Sequence, residues 1–160
     1  MAKVYCICGK LCCGKSTYAK KLSEETRAPI LSCDDLTLAI FDEQLGDSHE
    51  RVTQKAQAYL YQMAVQLAEL GISVILEWGF WTRESRLAAN KFFQEKGIPV
   101  EWHYVEVSEE MWRRNIAKRN ASGAAGSYYV DERLTEKCSS LFEAPQPEEI
   151  DIWYRNELKK

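Results

Sequence analysis

Gly9-Lys10-Leu11-Cys12-Cys13-Gly14-Lys15-Ser16, followed by Thr17, fits the phosphate-binding pattern G-x-x-x-x-G-K-[ST] at every fixed position. The pattern carries its own chemistry. Glycines let the backbone wrap an anion so that successive N–H groups point inward at it. The helix that opens here adds its positive N-terminal end. Lys15 then reaches the β- and γ-phosphates of a nucleoside triphosphate, and the Ser16 hydroxyl is placed to ligate Mg²⁺.

Three further groups could act on such a phosphate. Asp34-Asp35 offers a carboxylate to take the proton of an attacking hydroxyl, or a cap for the helix that follows. Arg113, Arg114, Lys118 and Arg119 offer guanidinium or ammonium charge for the transferring group, or a solvated helix face. Glu77 stands where loops of this type place a carboxylate toward Mg²⁺, directly or through water, or holds a neighbouring loop. Arg83 and Arg86 follow the Trp78-Gly79-Phe80-Trp81 turn and could face an acceptor, while the aromatics themselves read more readily as core. His49 and His103 have no partner at metal or triad spacing and receive no role.

The elements that must position these groups follow from periodicity. Lys3 to Cys8 reads as a buried strand before the glycine loop, and Ser16 to Glu25 as the helix after it. Ala28 to Cys33 is a short second strand delivering Asp34 and Asp35, with a short helix from Leu36 to Phe41 and a polar loop over Asp42 to Ser48. Ala56, Leu60, Met63, Leu67 and Leu70 keep helical spacing in a long helix from Val52 to Leu70, ended by Gly71. Ile72 to Leu76 is the third strand, leading into Glu77; Thr82 caps a helix running to about Lys96, and Val100 to Val107 is the fourth strand. Ser108 caps the basic helix, after which the small residues of Ala121 to Tyr129 read as a flap, giving a lid over about residues 113–130. Asp131 caps a last helix with Leu134, Cys138, Leu141 and Phe142 on one face; residues 150–160 fit a short edge strand or a helix.

Strands alternating with helices predict an α/β fold: a three-layer arrangement, a parallel sheet with helices on both faces, in one domain spanning 1–160. Ligands in such sheets bind beyond the carboxyl ends of the strands, which gathers the loop, Asp34, Glu77 and the basic helix at one rim. The net charge of −3 gives no global pull toward nucleic acid, and no apolar run approaches the roughly 20 residues of a membrane span. A strand within the first few residues speaks against a leader peptide, and six cysteines without a C-x-x-C pair read as free thiols in a reducing cytoplasm.

The same residues carry a family resemblance. Gly9 to Thr17, Asp34-Asp35, Glu77 to Trp81 with Arg83 and Arg86, Trp112 through Asn120, and Phe142 to Pro145 together resemble the small P-loop kinase-like ATP-binding proteins of the AAA_33 type, relatives of polynucleotide 5′-kinases, chloramphenicol phosphotransferase and zeta-toxin kinases. The resemblance implies that Asp34 is the general base and Arg119 the lid arginine that contacts ATP. Glu77 departs from the Asp found in many relatives. The expectation is an ATP- and Mg²⁺-dependent kinase whose catalytic residues are Asp34, Lys15 and Arg119, with residues 9–17 and Arg119 on the nucleotide and Ser16 and Glu77 on the metal. Its acceptor is a hydroxyl of a small or nucleotide-like molecule, a nucleic-acid 5′-hydroxyl being less favoured. The rival expectation is a regulatory ATP-binding or ATPase module.

Overall fold

The computed structural model describes residues 1–41, 45–122 and 129–158. Five parallel strands form one sheet in the order β2-β3-β1-β4-β5: β1 Val4–Cys8, β2 Ile30–Ser32, β3 Val74–Gly79, β4 Val100–Val107 and β5 Ile152–Asn156. Between them run α1 Lys15–Thr26, α2 Cys33–Ile40, α3 His49–Glu69, α4 Arg83–Glu95, α5 Glu109–Ser122 and α6 Glu132–Leu141.

The alternation of strand side chains explains the three layers. In β1, Val4, Cys6 and Cys8 face a core that includes Ala64 and Val65 of α3 and Ala89 and Phe93 of α4. Tyr5 and Ile7 face the opposite core, with Ala19 and Leu22 of α1 and Trp112 of α5. All five β1 residues are buried, as a central strand covered on both faces requires. Each such aliphatic side chain contributes about 1.5–3 kcal/mol by leaving water. All six cysteines are free; Cys6 and Cys8 share one core face as small hydrophobes.

The caps expected at Thr82, Ser108 and Asp131 are present: their side chains accept from the N–H groups of Ser85, Met111 and Leu134. Several boundaries differ from expectation. The second strand ends at Ser32 and α2 opens at Cys33, so Asp34 and Asp35 lie inside the helix and not in a connection before it. The third strand continues past Leu76 to Gly79, which puts Glu77 within β3. Residues 152–156 form an edge strand, resolving the strand-or-helix alternative. On α6, Cys138 is buried but Leu141 is 44% exposed, so the apolar face is narrower than its spacing suggested. Residues 42–44 of the polar loop and 123–128 of the expected flap lie outside the described residues. No helix among the described residues is long and apolar enough to cross a membrane.

Candidate nucleotide and phosphoryl-transfer site

The loop after β1 is shaped from outside as well as by its glycines. Gly14 takes φ +99°, and a Cβ there would lie 2.5 Å from Asn156 Nδ2. Gly9 has no room either, since a Cβ would meet Cys13 Sγ at 2.6 Å and Val105 O at 2.9 Å. Cys12 also sits at positive φ, +55°, a conformation that a non-glycine residue adopts only when its surroundings hold it.

Those surroundings are hydrogen bonds to the carbonyls of the loop. Trp112 Nε1 donates to Leu11 O, Asn115 Nδ2 to Cys12 O at 2.9 Å, and Asn156 Nδ2 to Cys13 O at 2.9 Å. Three consecutive carbonyls are thus tied outward. A backbone with its carbonyls outward can present N–H groups to an anion. Gly14 has no side chain to cap α1, which leaves the first-turn N–H groups of that helix for the same ligand.

Trp112, Asn115 and Arg119 follow one another at three and four residues, one face of α5. Arg119 Nη1 lies 3.3 Å from Cys12 Sγ, so this arginine is seated on the loop. The other basic residues of the helix are not: Arg113 pairs with Glu109 at 3.1 Å on an exposed turn, and Arg114 and Lys118 are exposed. Lys10 stacks its ammonium 3.8 Å from the centre of the Trp112 ring, joining the loop and α5 once more. Beyond α5, Asn120 exchanges two hydrogen bonds with Val130, at 2.7 and 2.8 Å, closing the base of the segment between them.

Lys15 Nζ donates to Gly9 O at 3.2 Å and Lys10 O at 2.8 Å. Burial works against its charge, but neighbouring Cys13, Glu77 and Asp34 outweigh that and hold its pKa above the ordinary lysine value. Lys15, Glu77 and Asp34 therefore feel one another across the strand ends. Glu77 is registered between Ile7 of β1 and Ser32 of β2. Burial pushes its pKa up to about 7; Lys15 pulls it down, while Asp34 and Asp35 push it up further.

The two aspartates are not the caps of α2. Ser32 is: its Oγ accepts from Asp35 N–H at 3.2 Å. Both carboxylates are exposed in the first turn, on the rim that holds Lys15. Ser16 and Thr17 are exposed at the start of α1.

Arg86 departs from expectation. It does not face an acceptor: it is 2% exposed, with Nε 3.1 Å from Glu149 Oε1 and Nη1 donating to Phe80 O at 3.0 Å. Arg83 is exposed, and its N–H donates to Glu143 Oε2. Phe80 and Trp78 are core, ring to ring at 5.2 Å, whereas half-buried Trp81 lies against Gly79 beside the loop. His103, given no role from the sequence, is buried, with Tyr18 Oη 2.6 Å from Nδ1 and Glu101 Oε1 2.8 Å from Nε2.

The hard oxygen donors at this rim, the Ser16 hydroxyl and the Glu77 carboxylate, fit Mg²⁺. Among the described residues no three of His, Cys, Asp and Glu converge as a metal cage.

A family model for the AAA domain, AAA_33, matches residues 4–145. No curated protein sequence matches the chain. Solved structures share its fold. A proposed kinase from Chloroflexus aurantiacus is 22% identical, with TM-score 0.76, covering 98% of this chain and 88% of its own. Chaetomium thermophilum Kti12, in complex with ADP-AlF3, is 17% identical with TM-score 0.74, covering 96% and 88%. Mycobacterium tuberculosis APS kinase, in complex with AMPPNP and APS, is 18% identical with TM-score 0.68, covering 96% and 88%.

Proposed function

Because the chain belongs to the AAA_33 family, a kinase-like group of P-loop proteins, we propose that it is an ATP- and Mg²⁺-dependent phosphotransferase. It moves the γ-phosphoryl group onto a hydroxyl of a small or nucleotide-like acceptor, and the whole of residues 1–160 serves as one kinase-like domain. The observation that carries this reading is Asp34. Its carboxylate is exposed in the first turn of α2, on the side of Lys15 and Glu77, while Ser32 does the capping. A switch or ATPase has no need of a free carboxylate at that place; a kinase needs one to receive the acceptor's proton.

In this reading the labour divides among the residues of the rim. Loop N–H groups and the start of α1 bind the phosphates, and Lys15 exchanges its bonds to Gly9 O and Lys10 O for phosphate oxygens. Asp34 accepts the hydroxyl proton as the oxygen attacks, and Asp35 orients Asp34 or the acceptor. Arg119, seated on Cys12, places guanidinium charge beside the transferring group and excludes water there. Ser16 and Glu77 would hold Mg²⁺, which when bound neutralises charge on the phosphate oxygens. The lid is assigned to about residues 113–130, of which 123–128 lie outside the described residues; Asn120 and Val130 are joined by two hydrogen bonds.

The deciding experiment uses γ-labelled ATP and Mg²⁺ with nucleosides, 5′-hydroxyl oligonucleotides, aminoglycosides, small phenols and sugars, run on wild type and Asp34→Asn in parallel. Label reaching one acceptor class, and falling by roughly 10²–10⁴-fold in the variant with ATP affinity kept, is the expected result. Label released only as phosphate, equally from both proteins, overturns transfer in favour of a regulatory ATPase.

A further inference from the structure

The turn that ends β3 is strained. Gly79 and Phe80 take φ +86° and +47°, two left-handed residues in succession, the second of them aromatic. A bulky residue keeps such a conformation only where its surroundings fix it, and strain of this kind gathers at functional sites. Here the surroundings are explicit. Buried Arg86 donates to Phe80 O at 3.0 Å, the Cys8 thiol donates to the same carbonyl at 3.7 Å, and Glu143 N–H donates to Trp81 O at 2.7 Å. The turn sends two neighbouring aromatics different ways. Phe80, 2% exposed, packs against the rings of Trp78 and Trp102, whereas Trp81 stays half-buried at the rim.

The chain has five tryptophans, and four of them have plain structural work. Trp78 and Trp102 flank Phe80, Trp112 braces the phosphate loop, and Trp153 sets its ring edge-on to Tyr104. Among the described residues Trp81 packs in neither hydrophobic core. Its indole lies instead over Gly79, where a Cβ would meet Nε1 at 2.8 Å and Cδ1 at 3.0 Å. The same Cβ would meet Gly9 O at 3.0 Å, the carbonyl to which Lys15 Nζ donates. The indole thus stands beside the phosphate-loop lysine. In the sheet order the end of β3 lies between the end of β2, which leads to Asp34, and the loop after β1. A hydroxyl that reaches Asp34 and the terminal phosphate together comes in over the end of β3.

We infer that Trp81 forms one wall of the acceptor site, and that the acceptor is a hydroxyl compound with a flat aromatic ring, of the nucleoside or phenol kind, which stacks on the indole. The word acceptor rests on the phosphoryl-transfer reading above; the stacking contact does not. A tryptophan offers such a ring a broad apolar face with few torsions to freeze. The held turn fixes the indole before any ligand arrives, which keeps the ordering cost of stacking low.

The indole N–H signals of the full chain, followed by nuclear magnetic resonance with Mg²⁺ and a non-hydrolysable ATP analogue present, test the contact without needing transfer. Trp81→Phe identifies the Trp81 signal by its disappearance. Nucleosides and small phenols are then titrated separately to about 10 mM, with glucose and an aminoglycoside as compounds that lack an aromatic ring. The Trp81 signal is expected to move with one of the aromatic classes, which names the acceptor type, and to stay in place with the other two compounds. A signal that no aromatic compound moves, or that glucose or the aminoglycoside moves as far, overturns the inference. In the transfer assay Trp81→Leu should raise the acceptor KM roughly 10-fold, the loss expected for one ring stack, with kcat within about 2-fold of wild type and ATP affinity unchanged. Trp81→Phe, which keeps a ring, should recover most of the loss. An acceptor KM unchanged in Trp81→Leu overturns the wall. A Trp81 signal that responds to an aromatic compound to which no label is transferred overturns the phosphotransferase reading and leaves the stacking site standing.

Discussion

The Ser32 hydroxyl accepts the Asp35 N–H at 3.2 Å, and by doing so it takes the capping duty from the two aspartates. Ser32 is also the register partner of Glu77, one strand over, and its hydroxyl partly offsets the rise in the Glu77 pKa. Ser32→Ala should therefore lower stability by about 1 kcal/mol, the usual cost of a lost cap. Asp34→Ala, at an exposed site with no cap to lose, should stay within about 0.5 kcal/mol of wild type. Chemical denaturation of the two variants side by side checks this. If Asp34→Ala proves the more destabilising, the carboxylate has a structural role that the geometry does not assign to it.

Glu77 gives the chain a pH dependence with a defined sign. Its folded pKa of about 7 lies above the ordinary 4.5 because burial disfavours the charge. Between those values the folded state keeps a proton that the unfolded state has released. Stability from this group is complete below about 4.5 and is lost as pH rises through about 7, on the order of 1–3 kcal/mol in all. Melting in the absence of nucleotide and Mg²⁺ should show that decline from pH 5 to pH 8 in wild type and a flatter profile in Glu77→Gln.

Asn156 supports the phosphate loop at Cys13 O and packs on Gly14. Asn156→Ala removes the bond without changing any group on the ligand side of the loop. ATP affinity should fall about 5- to 10-fold, the equivalent of roughly 1 kcal/mol for one hydrogen bond. Titration calorimetry with a non-hydrolysable nucleotide measures it. Unchanged affinity would show that Trp112 and Asn115 hold the loop without help.

Arg86 and Arg83 separate cleanly. Replacing Arg86 by Ala strands Glu149 and the Phe80 carbonyl and should cost about 3–5 kcal/mol. Replacing exposed Arg83 should change stability by less than about 0.5 kcal/mol. Thermal melts of both variants decide, and equal effects would contradict the burial difference.

Much of this architecture is legible from local pattern. The glycine loop between a buried strand and a helix, the long periodic helix, and the caps at Thr82, Ser108 and Asp131 are all short-range signals, and each is where its residues place it. The α2 boundary was harder, because Ser32-Cys33-Asp34-Asp35 offers three capping residues in four positions, and only the strand pairing of Ser32 with Glu77 selects the first. Arg86 illustrates another limit: a guanidinium four residues after a cap reads as surface until Glu149 and Phe80 O close on it. Trp112, Asn115 and Arg119 could have been grouped by helical spacing. Cys138, which accepts Leu11 N–H, and Asn156 could not, since their partners are more than a hundred residues away.

That last separation also says something about how the chain acquires its site. Residues 9–16 are made early, yet Asn156, which braces them, follows Cys13 by 143 positions. Contacts of such long sequence separation close late in folding, after the local helices and the inner strands are in place. During synthesis the nascent chain carries a loop that has its glycines and its lysine but lacks its outer brace. On the proposed reading, a partly made chain would grip a triphosphate less firmly, by about the same 5- to 10-fold that Asn156→Ala is expected to cost.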